Sequence, residues 1–257
     1  PSEVAEQAKA QIEAGFTAVK MNGSAELTAI DTPARTMEVV QRVAAVREAI
    51  GDHNDLVIDL HGRATTAMSR RLLRLLEPYM PLFVEEAVLP EHSRNLSALA
   101  ASTSIPLATG ERLFSRWDFR DVIGHGIAVA QPDVSHAGGI SEVRRIAAMA
   151  ETYDVSMAPH CPLGPISLAS SLQLAFAVPN FLIQEQSIGI HYNRGNDVLD
   201  YLVDREPLTF PGGYATRTTR PGLGIEIDEA EVERAAERGH RWRNPTWRHA
   251  DGSFAEW

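Results

Sequence analysis

A parallel barrel of alternating strands and helices is the fold that this 257-residue sequence predicts. Short apolar runs recur roughly 22 to 40 residues apart, which is the length of a strand, a helix and two loops. Each run is apolar almost throughout, as parallel strands are when both of their faces are covered. An amphipathic segment follows each run and adds the helix of a β/α unit. The seven predicted strands are residues 16–21, 56–60, 82–86, 105–109, 127–131, 155–159 and 181–184.

The segments between the runs carry helix start signals. Thr32 and Pro33 place a capping hydroxyl before a proline in the first helical turn. Ser115 with Asp118 has the spacing of a capping box, and Ser141 precedes an apolar stripe. These signals predict helices that begin after residues 32, 115 and 141.

Seven strands leave an eight-stranded barrel one short, and residues 2–14 have the pattern of a helix. We therefore expect the remaining strand to lie upstream of Pro1. After about Asn193 the strand and helix rhythm gives way to a stretch rich in glycine and proline, a short helix at 228–238 and an aromatic, basic tail. The predicted division is a barrel domain at 1–193 and a C-terminal extension at 194–257 that packs against it.

Composition excludes several classes of function. The net charge of −10 argues against a nucleic-acid partner, because affinity for phosphate backbones requires a basic surface. No apolar run approaches the roughly 18 residues of a membrane span, so no membrane partner is expected. The lone cysteine, Cys161, rules out an intrachain disulfide and favours a cytoplasmic protein.

Three consecutive predicted strands end in a carboxylate. These residues are Asp59, Glu85 and Glu111. Strand ends of a parallel barrel converge on one face, where three like charges would repel one another unless a cation lies among them. Ligation by oxygen alone is the preference of Mg²⁺, whereas a zinc hydrolase would need histidine ligands such as a His-x-His pair, which the sequence lacks. We therefore predict a Mg²⁺ site.

Two histidines belong to the same face. His61 lies two residues beyond Asp59 and so points the same way along the strand. His160 ends the sixth predicted strand, and Asp133 ends the neighbouring one. A carboxylate beside an imidazole holds one tautomer and raises its basicity, which predicts a His160 base oriented by Asp133.

Lys20 and Glu185 lie at the ends of the first and last predicted strands. Lys20 is a candidate cation for a substrate carboxylate, and its alternative is a lysine that extends from the strand end to solvent. Glu185 is a candidate hydrogen-bond partner for an enolate oxygen if protonated, and its alternative is an ion pair within the barrel rim.

This set of residues resembles the mandelate racemase group of the enolase superfamily. The resemblance covers nearly the whole chain and is closest to the acid-sugar dehydratases of the group. The matching segments are Asp59 to His61, Glu85, Glu111, Gln131 to Asp133, Gly138 to Ser141, Ala158 to Pro165 and Gly239 to Pro245.

The resemblance implies a modified TIM barrel of the (β/α)₇β type, whose N-terminal α+β capping domain and first strand are absent from this chain. It also implies a small-molecule acid-sugar substrate bound near Lys20 and Asn22, and a symmetric homo-oligomer. Asn22 stands where racemases of the group carry the second lysine of Lys-x-Lys, which disfavours racemisation by that lysine.

The reaction expected from these residues is Mg²⁺-dependent dehydration of an aldonate. His160 takes the C2 proton, and His61 donates a proton to the departing C3 hydroxyl. Galactonate is the first expected substrate. The alternatives are gluconate or a related acid, racemisation or epimerisation at the same site, and a non-catalytic barrel subunit.

Overall fold

The computed structural model describes residues 2–24, 27–188, 197–237, 248–249 and 251–254. Six parallel strands form one sheet in sequence order. They are β1 (Ala18–Asn22), β2 (Asp55–Asp59), β3 (Phe83–Glu85), β4 (Leu107–Thr109), β5 (Val129–Ala130) and β6 (Ser156–Met157). The α-helices are α1 (Ser2–Glu13), α2 (Pro33–Ile50), α3 (Thr66–Leu76), α4 (Leu96–Ala100), α5 (Arg116–Ile123), α6 (Ile140–Glu151), α7 (Pro165–Ala175) and α8 (Glu229–Glu237).

Alternation along the strands separates two cores. One side chain from each of five successive strands or strand ends forms a buried inner layer, as expected inside a barrel. That layer consists of Val57, Phe83, Ala108, Val129 and Ala158. The neighbouring residues, among them Leu56, Ile58 and Val84, face outward into the larger core that the helices cover. The next inward positions along each strand therefore lie at one mouth of the barrel.

The seventh predicted strand, at 181–184, is reduced to a single bridge between Met157 and Phe181. The Met157 N–H donates to Asn180 O at 2.8 Å, and the Leu182 N–H donates to Met157 O at 2.8 Å. The next residue of the parallel ladder on the β6 side is Pro159, which has no N–H to donate. The side-chain amide of Gln184 donates to the Pro159 carbonyl instead, at 3.2 Å.

One of the three predicted helix start signals, the Thr32 cap of α2, is confirmed in full. The Thr32 hydroxyl accepts from the Arg35 N–H at 3.3 Å, with Pro33 in the first turn of α2. The predicted capping box of α5 does not form, because the Ser115 hydroxyl donates to Asp118 Oδ2 at 2.9 Å and caps no backbone group.

Helix α6 begins at Ile140, two residues earlier than predicted. The preceding Gly139 lies outside the helix, with a φ of 82°. Ser141 therefore lies within the first turn instead of preceding it, and the apolar stripe of Val143, Ile146, Ala147 and Ala150 is buried as expected.

The C-terminal segment packs back on the strand and helix units. Leu199, Leu202 and Leu208 form a cluster with Leu168 and Leu172 of α7. The predicted boundary near Asn193 lies outside the described residues. Among the residues that the structure describes, none of the helices has the length and apolar character to cross a membrane.

Candidate active site

The carboxylates of Asp59, Glu85 and Glu111 meet at the mouth of the barrel. Asp59 and Glu85 follow the inner-layer residues Val57 and Phe83 by two positions, and they lie opposite each other in the β2–β3 register. Both are buried, with relative exposures of 2% and 0%. Each of the three residues offers an oxygen, and these atoms all lie within 4.8 Å of one another.

Glu111 reaches this cluster through a glycine. Gly110 takes the inward position after Ala108, and its φ of 153° leaves the strand conformation. A Cβ on Gly110 would lie 2.7 Å from the backbone carbon of Gln131. Only glycine allows this close approach between the ends of β4 and β5, and the turn that results directs Glu111 into the mouth.

Electrostatics in the cluster favours a cation. Burial raises the pKa of Asp59 well above its ordinary value, and the charge of Glu85 raises it further. Burial, together with the charge of Glu86, raises the pKa of Glu111 to about 7. The buried oxygens therefore resist full ionisation on their own, and a hard divalent ion with a preference for carboxylates removes that cost. The donor set fits Mg²⁺.

Lys20 lies inside the carboxylate cluster rather than extending to solvent. Its Nζ is 3.0 Å from Glu85 Oε1, 3.8 Å from Asp59 Oδ2 and 2.5 Å from Glu185 Oε1. Burial alone would lower the pKa of Lys20, but the carboxylates of Glu85 and Glu185 outweigh it and raise that pKa. The Lys20 ammonium therefore faces four carboxylates, and the ionised cluster carries a net negative charge. These carboxylates belong to Asp59, Glu85, Glu111 and Glu185.

His160 and Asp133 form the expected pair. His160 Nδ1 lies 2.8 Å from Asp133 Oδ2, and Asp133 is fully buried. The Ser135 N–H donates to the second oxygen of Asp133 at 2.6 Å. Burial would lower the pKa of His160, but the hydrogen bond to Asp133 raises it. His160 Nε2 faces the cluster, 3.5 Å from Glu111 Oε2.

His61 lies on the other side of the carboxylates. The backbone N–H of His61 donates to Asp59 Oδ1 at 2.7 Å, and the ring Nε2 is 3.1 Å from Asp59 Oδ2. Burial, then the positive charges of Arg63 and Lys20, lower the pKa of His61 to about 4. Because β3, β4 and β5 separate β2 from β6, His61 and His160 occupy opposite flanks of the cluster.

Glu185 makes two polar contacts at the mouth of the barrel, whereas Asn22 lies exposed at the end of its strand. Glu185 Oε2 accepts the Cys161 N–H at 2.9 Å, while its other oxygen pairs with Lys20. This contact is the ion pair that the sequence left as the alternative for Glu185. Asn22 is exposed at the end of β1 and lies opposite Asp59 in register.

Sequence reasoning gave no role to three residues that contact these groups. Arg112 Nε donates to Glu86 Oε1 at 2.8 Å, and Arg112 Nη2 donates to His61 O at 2.7 Å. His136 Nδ1 lies 4.0 Å from Asp133 Oδ2, and its ring centroid is 6.0 Å from that of His160. The available signal was adjacency, since Glu86 and Arg112 each directly follow a strand-end carboxylate.

A family comparison accounts for the combination of this barrel and this strand-end cluster. Residues 3–231 match the family described as "Enolase C-terminal domain-like". The chain belongs to the enolase C-terminal domain-like family. Both the parallel β/α fold and the position of the polar cluster at the strand ends agree with that membership.

Relatives of this enolase C-terminal domain-like chain include two named dehydratases. A D-galactonate dehydratase of Variovorax paradoxus (strain S110) is 49% identical over 100% of this chain, which covers 68% of that protein. A D-galactonate dehydratase of Xanthomonas euvesicatoria pv. vesicatoria (strain 85-10) is 53% identical over 95% of this chain, which covers 64% of that protein.

Solved structures share the fold. A mandelate racemase/muconate lactonizing enzyme from Jannaschia sp. CCS1 superposes with a TM-score of 0.82 at 32% sequence identity. The match covers 94% of this enolase C-terminal domain-like chain and 60% of the solved one. The chain thus spans about two thirds of the length of the relatives that it matches.

Proposed function

We propose that this chain carries the catalytic barrel of a Mg²⁺-dependent aldonate dehydratase. The reaction is D-galactonate to 2-dehydro-3-deoxy-D-galactonate and water. The observation that carries the proposal is the placement of His61 and His160 on opposite flanks of three clustered carboxylates. The relatives named D-galactonate dehydratase, 49% and 53% identical, support this substrate.

Asp59, Glu85 and Glu111 would hold the Mg²⁺. The chemistry that a bound Mg²⁺ supplies is positive charge beside the substrate carboxylate as a second negative charge develops there. Lys20 and Asn22 are proposed to contact the substrate. Lys20 remains charged among the carboxylates and offers an ammonium to an acidic ligand.

His160 is the proposed general base. Its Nδ1 is engaged with Asp133 Oδ2 at 2.8 Å, so the N–H resides there and the lone pair resides on Nε2, which faces the cluster. His160 Nε2 takes the proton from C2 of the substrate, and the electron pair of the C2–H bond passes into an enediolate. The buried Asp133 carboxylate stabilises the imidazolium that forms.

His61 is the proposed general acid. The enediolate electrons form the C2–C3 double bond, the C3–O bond breaks, and the proton from His61 Nε2 lets the oxygen leave as water. The enol then ketonises to the 2-keto-3-deoxy acid. A pKa of about 4 leaves His61 neutral at pH 7, so the acid role requires the ionised carboxylate of Asp59, 3.1 Å from Nε2, to favour the imidazolium.

Glu185 is proposed to hydrogen-bond the enolate oxygen. A carboxyl group donates a hydrogen bond only when it is protonated, so this role requires Glu185 to leave its ion pair with Lys20 and to take up a proton. We also propose that the enzyme is a cytoplasmic homo-oligomer without nucleic-acid or membrane partners. The net charge of −10 and the buried, unpaired Cys161 support these assignments, together with the family resemblance.

A screen of acid sugars tests the proposed reaction. The full chain with Mg²⁺ is expected to release a keto acid from D-galactonate, measured as the semicarbazone, and to lose that activity with EDTA. Faster turnover of gluconate would change the substrate but not the reaction. Formation of an epimer without keto acid would replace dehydration by epimerisation, and inertness toward every acid sugar would favour a non-catalytic barrel.

Replacing His160 with asparagine tests the base. His160→Asn is expected to slow exchange of the C2 hydrogen with D₂O by at least about 100-fold, because no other group takes that proton. Nuclear magnetic resonance of recovered substrate measures the exchange. The exposed His53→Asn is the matched control and should exchange at the wild-type rate. Exchange that survives in His160→Asn would assign the base elsewhere.

A further inference from the structure

Glu86 and Arg112 form an ion pair beneath the proposed general acid. Arg112 Nε donates to Glu86 Oε1 at 2.8 Å, and Arg112 Nη2 donates to Glu86 Oε2. The Glu86 side chain is completely buried, whereas Arg112 is 29% exposed. Such a planar, two-point pairing holds a guanidinium in one orientation.

The same guanidinium holds the backbone of His61. Arg112 Nη2 donates to the His61 carbonyl at 2.7 Å, and the Gly62 N–H donates to the Glu86 carbonyl at 2.9 Å. His61 and Glu86 have φ values of 49° and 45°, which few non-glycine residues adopt. A backbone of this kind persists only where its surroundings hold it in place.

Gly62 leaves the space that this arrangement needs. Its φ is 62°, and a Cβ there would lie 2.9 Å from Arg112 Nη2. A side chain at this position would crowd Leu89, whose Cδ2 lies 2.8 Å from that Cβ, as well as the guanidinium that donates to the His61 carbonyl. The turn after β2, the pairing of Arg112 and the direction of the His61 side chain are therefore linked by contact.

We propose that Arg112, held by Glu86, is a positioning residue that aims the His61 imidazole at the hydroxyl on C3 of the substrate. The inference rests on the proposed dehydration and adds a residue to it. Arg112 acts through the backbone of His61, while His160 is set separately by Asp133. The acid step and the base step therefore respond differently to a change at Arg112.

That difference predicts how the enediolate intermediate partitions between dehydration and return to the substrate. After His160 removes the C2 proton, the enediolate either loses the C3 hydroxyl or regains a hydrogen at C2. A displaced His61 slows only the first fate. In D₂O the substrate should then collect deuterium at C2 more often for each keto acid formed. This ratio does not depend on the amount of folded enzyme.

The experiment compares Arg112→Lys with wild type in the full chain, with Mg²⁺ and D-galactonate in D₂O. Lysine keeps the positive charge against Glu86 but lacks the planar, rigid fork of donors that joins both Glu86 oxygens to the His61 carbonyl. Keto acid formation is expected to fall at least about tenfold, and the ratio of deuterium incorporation to keto acid to rise by a similar factor. His61→Asn supplies the limiting ratio for a missing acid.

The matched control is Arg47→Lys. Arg47 also donates to backbone carbonyls, those of Gly51 at 2.9 Å and Asn54 at 2.6 Å, but it does so at the opposite end of β2. Its ratio should equal that of the wild type. Glu86→Gln is a second test variant, which keeps the side-chain size, weakens the hold on Arg112 and should raise the ratio as well.

A substrate that needs little acid help separates positioning from general damage. With fluoride in place of the C3 hydroxyl, Arg112→Lys is expected to eliminate fluoride within about threefold of wild type. An unchanged ratio, or equal loss of exchange and dehydration in both test variants, would overturn the inference. If wild type itself forms no keto acid from any acid sugar, the proposed function fails instead.

Discussion

Asp59 lies between the His61 imidazole and the carboxylates of Glu85 and Glu111. Its charge affects both the protonation of His61 and the binding of a cation. One of its oxygens accepts the His61 N–H, and the other lies 3.1 Å from His61 Nε2. Burial and the neighbouring Glu85 raise the pKa of Asp59, so ionisation requires a nearby cation. Metal binding and the charge state of the proposed acid are therefore coupled through this residue.

Glu111→Gln is the residue-scale prediction. The pKa of Glu111 is about 7, above its ordinary 4.5, so the folded state holds a proton that the unfolded state releases between these values. Above pH 7 the buried charge costs stability on the order of 3 kcal/mol. Glutamine removes that cost. We expect weaker Mg²⁺ binding by calorimetry, but higher metal-free stability at pH 8 in urea unfolding.

The same variant should show almost no stabilisation at pH 4, where Glu111 is protonated in the folded protein and mostly protonated in the unfolded one. Glu142→Gln is the matched control, because Glu142 lies on α6 and pairs with Arg116 and Arg145. It should leave Mg²⁺ affinity unchanged. Undiminished Mg²⁺ affinity in Glu111→Gln would remove Glu111 from the proposed ligands.

At the scale of elements, the residues at the strand ends determine which side chains lie at the mouth of the barrel. The inner layer of Val57, Phe83, Ala108, Val129 and Ala158 is apolar, and polar residues follow it two positions later on several strands. The β4 end departs from this alternation, since Gly110 occupies the inward position and Glu111 follows it. A close approach to Gln131 therefore determines where one proposed ligand lies.

Gly110→Ala is the element-scale prediction. The added Cβ would meet the backbone of Gln131 at 2.7 Å, so the ends of β4 and β5 must separate and carry Glu111 with them. We expect a loss of about 1 to 3 kcal/mol in the free energy of unfolding, as for other overpacked sites, together with weaker Mg²⁺ binding. Urea unfolding and calorimetry measure the two effects.

Gly124→Ala is the control for that change. Gly124 has a φ of −71° and its added Cβ would meet only Asp121 O at 3.9 Å. Its stability should differ from wild type by less than about 1 kcal/mol. Equal effects of the two substitutions would show that crowding at Gln131 does not position Glu111.

Across the whole molecule, the parallel sheet collects acidic strand ends on one face of a chain whose net charge is −10. The raised pKa values of Asp59 and Glu111 mean that protons stabilise the folded state at low pH. As the pH rises through about 7, that contribution is lost in the metal-free protein. A divalent cation bound by these carboxylates would replace the protons.

The whole-molecule prediction follows from this competition. Mg²⁺ should raise the melting temperature more at pH 8 than at pH 5.5, because protons compete with the metal for the same oxygens at the lower value. Differential scanning calorimetry with Mg²⁺ or EDTA at both pH values measures the difference. Equal stabilisation at the two pH values would place the Mg²⁺ away from Asp59 and Glu111.

The sequence by itself determined the features that depend on local periodicity. Strand alternation brought Asp59 and Glu85 to one face, and the Thr32 cap marked the start of α2, because both follow from short-range backbone geometry. His61 reaches that face through a turn with a φ of 49° beyond the end of β2, which alternation does not predict. It also predicted the pairing of His160 with Asp133, since neighbouring parallel strands end side by side.

Only the tertiary structure decided contacts that depend on unusual backbone angles or on distances between strands. The positive φ of Glu86 and His61 lets Arg112 reach both residues, and no periodic pattern encodes that conformation. Lys20 lies among carboxylates from other strands because the ends of parallel strands converge at the mouth of the barrel, and the pattern of a single strand does not contain those distances. Such contacts arise from the three-dimensional meeting of segments distant in the chain.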